Sequence, residues 1–151
     1  MRRAIAALGV ALLLSAAPLR LLAQTATWSD GETENAVTFD SGQVHYRQSK
    51  SLPENKSGWW DYVIALADID CLRFQELSTG DVLSIVGKSN DSVLKKADPY
   101  GTTHGYEAAL KHFDIVFPPA ASSIAQGLLR QLEHASPGLA KRTNQGACAP
   151  L

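Results

Sequence analysis

Short runs of alternating apolar and polar residues fill the middle of the chain, and this period of two predicts β-strands. Val37 and Phe39 alternate before the turn residues 40–43, and Val44 and Tyr46 resume the alternation after them. We therefore expect a β-hairpin centred on this turn.

A stronger strand follows, and one of its faces is formed by Trp60, Tyr62, Ile64 and Leu66. Trp59 and Asp61 point to the opposite face. The alternation changes phase near Asp68 and Asp70, which predicts a turn or a bulge there. These two carboxylates are also candidates for acid–base or calcium chemistry, but a turn role, in which they accept backbone N–H bonds, is simpler.

Further strands are predicted at residues 82–86 and 92–96, the second of them edge-like, and a last strand lies within residues 106–117. Pro118 and Pro119 end that strand, because proline offers no N–H to the ladder. The chain thus contains six or seven short strands before any helical pattern begins.

The helical pattern is a single amphipathic segment. Its apolar stripe consists of Ile124, Leu128, Leu132 and Ala135. Pro137 and Gly138 end it. Strands followed by one helix, without βαβ alternation, exclude a doubly wound sheet and predict an α+β fold. We expect a strongly bent antiparallel sheet or a small barrel, capped by the C-terminal helix.

The N-terminus has the outline of a signal peptide. Arg2 and Arg3 precede an uncharged apolar run from Ala4 to Ala17. As a helix this run would rise about 21 Å, short of the roughly 30 Å hydrocarbon core of a membrane. A cleaved signal over residues 1–23 is therefore favoured over a retained membrane anchor, and we expect no stable membrane span after cleavage.

The rest of the chain divides into an arm, a domain and a tail. We assign residues 24–35 to a flexible arm, residues 36–137 to the α+β domain and residues 138–151 to the tail. Cys71 and Cys148 are the only cysteines, and export to the periplasm or the medium makes a disulfide between them the expected state, with two unpaired thiols as the alternative. The bridge would tie the tail to the domain.

Composition and net charge indicate one globular domain and argue against nucleic-acid binding. The 151 residues are 45% hydrophobic and carry a formal net charge of −1, which suits one globular domain. Cleavage after residue 23 removes three arginines and no acidic residue, so the exported chain is more acidic still. Such a chain lacks the positive field that attracts nucleic acids, and we expect no nucleic-acid partner.

Two segments resemble the pleckstrin-homology-like barrel superfold. YVIALADIDCLRFQEL is similar to its strand-turn-strand piece, and ALKHFDIVFPPAASSIAQGLLRQLEHA is similar to its last strand and capping helix. The resemblance implies a scaffold that often binds peptides or proteins, sometimes along a sheet edge. The first hairpin loop, at residues 40–43, lacks the basic residues with which lipid-binding members grip inositol phosphates. We therefore expect no phosphoinositide ligand.

The densest set of potential metal ligands is His104, Glu107, His112 and Asp114. His112 and Asp114 share one face of a strand, and His104 would have to fold back to join them. The alternative is a solvated polar face opposite the apolar residues of the strand, and we predict no cofactor.

The adjacent Trp59 and Trp60 must face opposite sides of a strand, so only one of them can enter the core. The other is a candidate anchor for a partner, with Asp61 and Lys56 at its rim. Alternatively, the arm around Trp28 or a polar loop covers it.

The sequence favours an exported, non-enzymatic module that binds an envelope or extracellular protein through a sheet edge or an exposed aromatic residue. No nucleophile motif such as Gly-x-Ser-x-Gly is present, and we name no catalytic residue. Two alternatives stay open. One is a metal-dependent enzyme or metal carrier that uses His104, His112 and Asp114, and the other is a structural component of an envelope assembly.

The first prediction concerns processing. Protein purified from the compartment to which its host exports it is expected to begin at Gln24 and to weigh two hydrogens less than the reduced chain. Intact-mass spectrometry before and after reduction measures both features. Retention of residues 1–23, or two thiols that react without prior reduction, would contradict this expectation.

Overall fold

The chain forms nine strands and one α-helix within residues 24–102, 104–136 and 139, the part that the computed structural model describes. The strands are β1 (Gln24–Ser29), β2 (Thr33–Asp40), β3 (Gln43–Ser51), β4 (Ser57–Ala65), β5 (Ile69–Leu77), β6 (Gly80–Gly87), β7 (Val93–Asp98), β8 (Tyr106–Leu110) and β9 (His112–Phe117). The helix, α1, spans Ser122–Ala135.

Antiparallel pairing assembles these strands into two sheets. The larger sheet has six strands in the order β1-β2-β3-β4-β7-β8, and the smaller sheet has three in the order β5-β6-β9. The predicted α+β class is confirmed, and the described strands form two open sheets rather than a closed barrel. There are more strands than expected because residues 24–29 add one and residues 106–117 divide into two.

The hairpin predicted around residues 40–43 is confirmed as the connection between β2 and β3. Asp40 lies opposite Gln43, and the two residues between them, Ser41 and Gly42, have φ angles of 49° and 79°. Positive φ at both central positions gives a type I′ turn, whose twist matches that of the paired strands. This turn places Val44 and Tyr46 on the same sheet face as Val37 and Phe39, and all four are buried.

The turn or bulge predicted near Asp68 and Asp70 is also confirmed. A short 3-10 turn covers Leu66–Asp68, and the register of β5 shifts between Ile69 and Cys71. The backbone carbonyl of Asp68 accepts a hydrogen bond from the N–H of Lys88 at 2.9 Å. This turn carries the chain from β4 of the larger sheet to β5 of the smaller one.

The segment predicted as one last strand divides at Lys111 into β8 and β9, which belong to different sheets. The inward positions change phase at this residue, from Leu110 on β8 to Phe113 on β9. The carbonyl of Lys111 accepts a hydrogen bond from Gly87 at 2.7 Å. A Cβ on Gly87 would lie 2.2 Å from the Cβ of Ser92, so this close approach needs glycine.

The predicted flexible arm over residues 24–35 is corrected by the structure. Its first half is β1, which pairs with β2 along its whole length, and Trp28 is only 7% exposed. The ring of Trp28 stacks on Phe117 with centroids 4.5 Å apart, and its indole Nε1 donates to the carbonyl of Val116 at 3.2 Å. The sequence pattern does not reveal this strand, because Trp28 is its only large apolar side chain.

A stack of aromatic rings fills the space between the two sheets. Tyr46 at its centre lies 5.8 Å from Tyr62 and 6.1 Å from Phe113, measured between ring centroids. On β9, Phe113 therefore contacts β3 and β4, whereas Phe117 contacts Trp28 on β1. These contacts show that β9 runs across the strands of the larger sheet, as in orthogonal packing of two sheets.

The predicted C-terminal helix is confirmed, and it packs against β6 and β9. Its buried residues are Ala125, Leu128 and Leu132. Ala135, which the sequence placed in the apolar stripe, is exposed. At the first turn the hydroxyl of Ser122 donates to the carboxylate of Asp81, which is 5% exposed. The buried carboxylate thus faces the positive end of the helix dipole.

None of the helices in the described ranges is long and apolar enough to cross a membrane.

A buried polar network on the inner face of the larger sheet is centred on Asn35. The side-chain oxygen of Asn35 accepts hydrogen bonds from the hydroxyl of Tyr46 at 2.9 Å and from Nε2 of Gln48 at 3.2 Å. Its amide nitrogen donates to the carbonyl of Thr33 at 3.2 Å. Burial raises the pKa of Tyr46 far above its usual value, with smaller effects of Tyr62 and Asp30, so the hydroxyl remains a donor.

Replacing Asn35 tests this network. Asn35→Ala is expected to lower the free energy of unfolding by about 1–3 kcal/mol, because the buried Tyr46 hydroxyl loses its acceptor. In the Tyr46→Phe background the same change should cost less, and urea denaturation of the four proteins of the cycle measures the difference. An equal loss in both backgrounds would show that the two side chains are not coupled.

Candidate functional site

The candidate site begins with the edges of the two sheets. At one side of the larger sheet, β1 is flanked by β9 through Trp28 and by α1 through a hydrogen bond between Gln24 and Gln131. In the smaller sheet, Cys71 and Arg73 on the edge strand β5 are each engaged in further interactions. Residues on β1, β9 and β5 are therefore engaged in interactions beyond their strand pairing.

Within the described residues, the edge strand β8 of the larger sheet is open on one side. It pairs with β7 on one side, and no other strand of the described ranges pairs with it. Tyr106 at its start is 46% exposed, and Glu107 and Ala109 are exposed as well. A strand with one unpaired side presents N–H and C=O groups to which another strand can add.

The loop between β7 and β8 sets the position of this edge. Asp98, 6% exposed, accepts a hydrogen bond on Oδ1 from the N–H of Thr102 at 3.1 Å. The loop also packs against the start of β4, where a Cβ on Gly58 would lie 2.5 Å from the carbonyl oxygen of Pro99. Glycine is thus required for the contact that holds the loop beside β4.

Next to the open edge lies an aromatic corner, which we define as Trp60, Tyr62, Lys95 and Tyr106. Trp60 and Tyr106 flank Ala97 in one row across the sheet, and Tyr62 lies opposite Lys95 in the next row. All four side chains lie on the inner face of the larger sheet, which is the face that carries the buried Tyr46 and packs against the smaller sheet. Trp60 and Lys95 are half-buried, and Tyr106 is exposed, so this corner extends beyond the part of the face that β9 covers.

Lys95 lies over two rings of the corner. Its Nζ is 5.5 Å from the ring centroid of Tyr62 and 5.5 Å from that of Tyr106, within the range of cation–π attraction. Partial burial by itself would lower the pKa of Lys95, but interaction with Tyr106 and Tyr62 outweighs it, and the pKa is raised above its ordinary value. Lys95 therefore stays charged at neutral pH beside an exposed aromatic surface.

The outer face of the same sheet carries a row of alternating charges that ends at the open edge. Cross-strand partners place Arg47 opposite Asp61, Asp61 opposite Lys96, and Lys96 opposite Glu107. Lys96 and Glu107 form an ion pair at 2.9 Å. The hydrogen bond and the charge of Glu107, with a smaller contribution of Asp61, raise the pKa of Lys96. Opposite charges at directly opposed positions stabilise a sheet. We call these four residues the charge row.

The two adjacent tryptophans do not divide into one core and one exposed residue. Both are half-buried, and neither belongs to the buried core. Trp60 lies in the aromatic corner, and Trp59 lies on the outer face, where the guanidinium carbon of Arg47 is 5.2 Å from its ring centroid. The expectation that one of them enters the core is therefore wrong, because the smaller sheet does not reach this end of β4.

The other predicted rim residues lie apart from each other. Asp61 belongs to the charge row on the outer face. Lys56 is exposed just before β4 and forms an ion pair with Glu54 at 2.9 Å.

The candidate metal ligands are distributed over different parts of the fold. Glu107 is on β8 of the larger sheet, His112 and Asp114 are on β9 of the smaller one, and His104 precedes β8. Among the described side chains, no three His, Cys, Asp or Glu residues lie together in a group that could hold a metal ion. The geometry therefore does not assemble the site proposed for His104, His112 and Asp114.

Cys71 is 2% exposed, packs with Val86, and is not a free thiol. Cys148 lies outside the described residues, as does the signal segment, so the bridge between Cys71 and Cys148 stays a prediction.

No protein-family model, no curated protein and no solved structure matches this chain.

Sequence reasoning missed Lys95 and Tyr106. Both alternate with neighbours on short strands, Lys95 at an inward position of β7 and Tyr106 at an inward position of β8. The change of phase at Lys111 was the signal that β8 is a separate strand. The sequence favoured residues 92–96 as an edge strand, which is wrong, because β7 lies between β4 and β8.

The aromatic corner generates a stability prediction. Lys95→Met is expected to lower the free energy of unfolding by about 0.5–1 kcal/mol relative to Lys95→Arg, because arginine keeps a cation over the two tyrosine rings. Chemical denaturation measures both variants. The matched control is Lys111→Met, since no ring contact of the described residues involves Lys111, and its effect should be close to zero. Equal stability of the two Lys95 variants would show that the ring contacts contribute nothing.

Proposed function

We propose that this chain is an exported, non-enzymatic binding module that recognises an extended segment of an envelope or extracellular protein at the β8 edge. The observation that carries the proposal is the open strand β8 beside the aromatic corner. Backbone pairing with β8 supplies affinity that does not depend on sequence, and the corner supplies an aromatic surface for one face of the added strand.

Several features support the other parts of this proposal. The arginines and apolar run at the N-terminus support export, and the buried Cys71, which is not a free thiol, supports a disulfide that staples the tail. Two antiparallel sheets followed by a helix are compatible with a pleckstrin-homology-like scaffold, whose use for binding peptides and proteins fits a role of this kind.

The corner is suited to act as the anchor of the interface. Trp60 and Tyr106 are large amphipathic rings, and such residues dominate binding hot spots. They are held in place by Ala97 between them and by the Lys95 ammonium over Tyr106. Since the surface is formed before binding, little side-chain entropy is lost on association.

Site-specific photo-crosslinking in the host tests the proposal. A photoreactive phenylalanine analogue in place of Tyr106 should crosslink to a discrete exported protein, because this position lies at the start of the open edge. The same analogue in place of Val116, which is 57% exposed on β9, is the control and should not give that product. Identical products at both positions, or none at Tyr106, would contradict the proposal.

Affinity for the captured protein then tests the anchor. Trp60→Ala is expected to raise the dissociation constant by about 30-fold, equivalent to about 2 kcal/mol, without unfolding the domain. Trp59→Ala, on the same strand but on the opposite face, is the matched control and should have a smaller effect. Calorimetric titration measures both variants, and circular dichroism checks the fold. A larger loss for Trp59→Ala would move the interface to the outer face.

A further inference from the structure

The charge row determines which side chain the added strand should carry. Across the outer face the signs run positive, negative, positive and negative, from Arg47 through Asp61 and Lys96 to Glu107. Glu107 is the last member, and its side chain is 62% exposed although it pairs with Lys96. The position beyond it, on a strand added to β8, lies directly opposite this carboxylate.

We propose that the β8 edge selects an extended protein segment that carries a basic residue opposite Glu107 and apolar residues on either side of it. This inference rests on the proposed function and specifies the partner's chemistry. An opposite charge at a directly opposed position is favourable, and a like charge is not, so the alternation of the row continues into the partner.

The inner face of the sheet determines which residues are expected on either side of the basic residue in the added strand. Neighbours of a residue opposite Glu107 point to the other face of the sheet, where they lie opposite Tyr106 and Ala108. Tyr106 offers an exposed ring, and Ala108 is small enough to leave room for a large partner side chain. Aromatic and aliphatic pairs across neighbouring strands are favourable. The expected pattern is apolar, basic, apolar, in either strand direction.

The other open features of the fold do not offer this combination. Leu77 on β5 and Val116 on β9 are exposed apolar residues, but neither is aromatic. Trp59 already stacks with Arg47. Only at β8, within the described residues, do an unpaired strand edge, an exposed aromatic ring and the end of a charge row coincide.

Two short synthetic peptides with blocked ends test the inference. Both have valine at inner positions and threonine at outer positions, and they differ at one central outer position, which is lysine in the first and glutamate in the second. The lysine peptide should bind about tenfold more tightly at low salt, and the preference should shrink as salt screens the exposed charges. Amide NMR shifts and slowed hydrogen exchange within residues 106–110 should locate binding at β8.

Variants of the protein assign the preference to Glu107. Glu107→Gln should abolish it, and Glu107→Lys should reverse it. The matched control is Glu34→Lys, which makes the same charge change on the outer face of β2, far from β8, and should leave the preference intact. Circular dichroism confirms that each variant is folded, since the lost ion pair with Lys96 is exposed and contributes little.

The outcomes separate this inference from the proposed function. If both peptides perturb residues 106–110 with equal affinity, the edge binds strands but the charge rule is wrong. If neither peptide perturbs these residues, edge recognition itself is overturned. If sedimentation shows that the protein without peptide is a dimer and Glu107→Lys changes its association, a second copy of this chain occupies the edge, and the proposed heterotypic partner is wrong.

Discussion

The aromatic stack around Tyr46 is the interaction on which the rest of the structure depends. Its ring packs against both Tyr62 and Phe113, which also contact each other, and its hydroxyl donates a hydrogen bond to the side-chain oxygen of Asn35. Because both sheets contribute rings to this stack, it joins their inner faces in the core. Trp28 and Phe117 extend the same stack to the first strand and so join the N-terminal strand to the last one.

The crossing of the sheets has a consequence for function. A three-stranded sheet that runs across a six-stranded one cannot cover all of its inner face. The helix packs on β6 and β9 of the smaller sheet. At the β7–β8 end of the inner face, Val93 and Ala97 are buried, but Lys95 stays half-buried and Tyr106 stays exposed. The aromatic corner and the open edge thus result from the same packing geometry. The smaller sheet does not bury the large amphipathic rings of the corner, so they stay partly exposed.

The residues of this site share a feature that patterns along one chain cannot reveal. The charge row takes its four residues from four strands, β3, β4, β7 and β8. Its charges alternate in sign only because the strand register places these residues opposite one another. In the sequence they are ordinary surface charges. The same is true of Lys95 and Tyr106, which approach one another across a strand pair rather than along a helix or turn.

By itself the sequence determined the class of fold, most of the strands, the hairpin turn, the bend near Asp68 and the helix α1. These features follow from local patterns, since period-two alternation, glycine and proline act within a few residues of each other. The tertiary structure alone decided that Trp28 belongs to a strand, that the chain changes sheets at Lys111 and that β8 lies at an edge. Each of these depends on which surfaces meet across the fold, and a short strand with a single large apolar residue depends for its stability on pairing and packing with other strands.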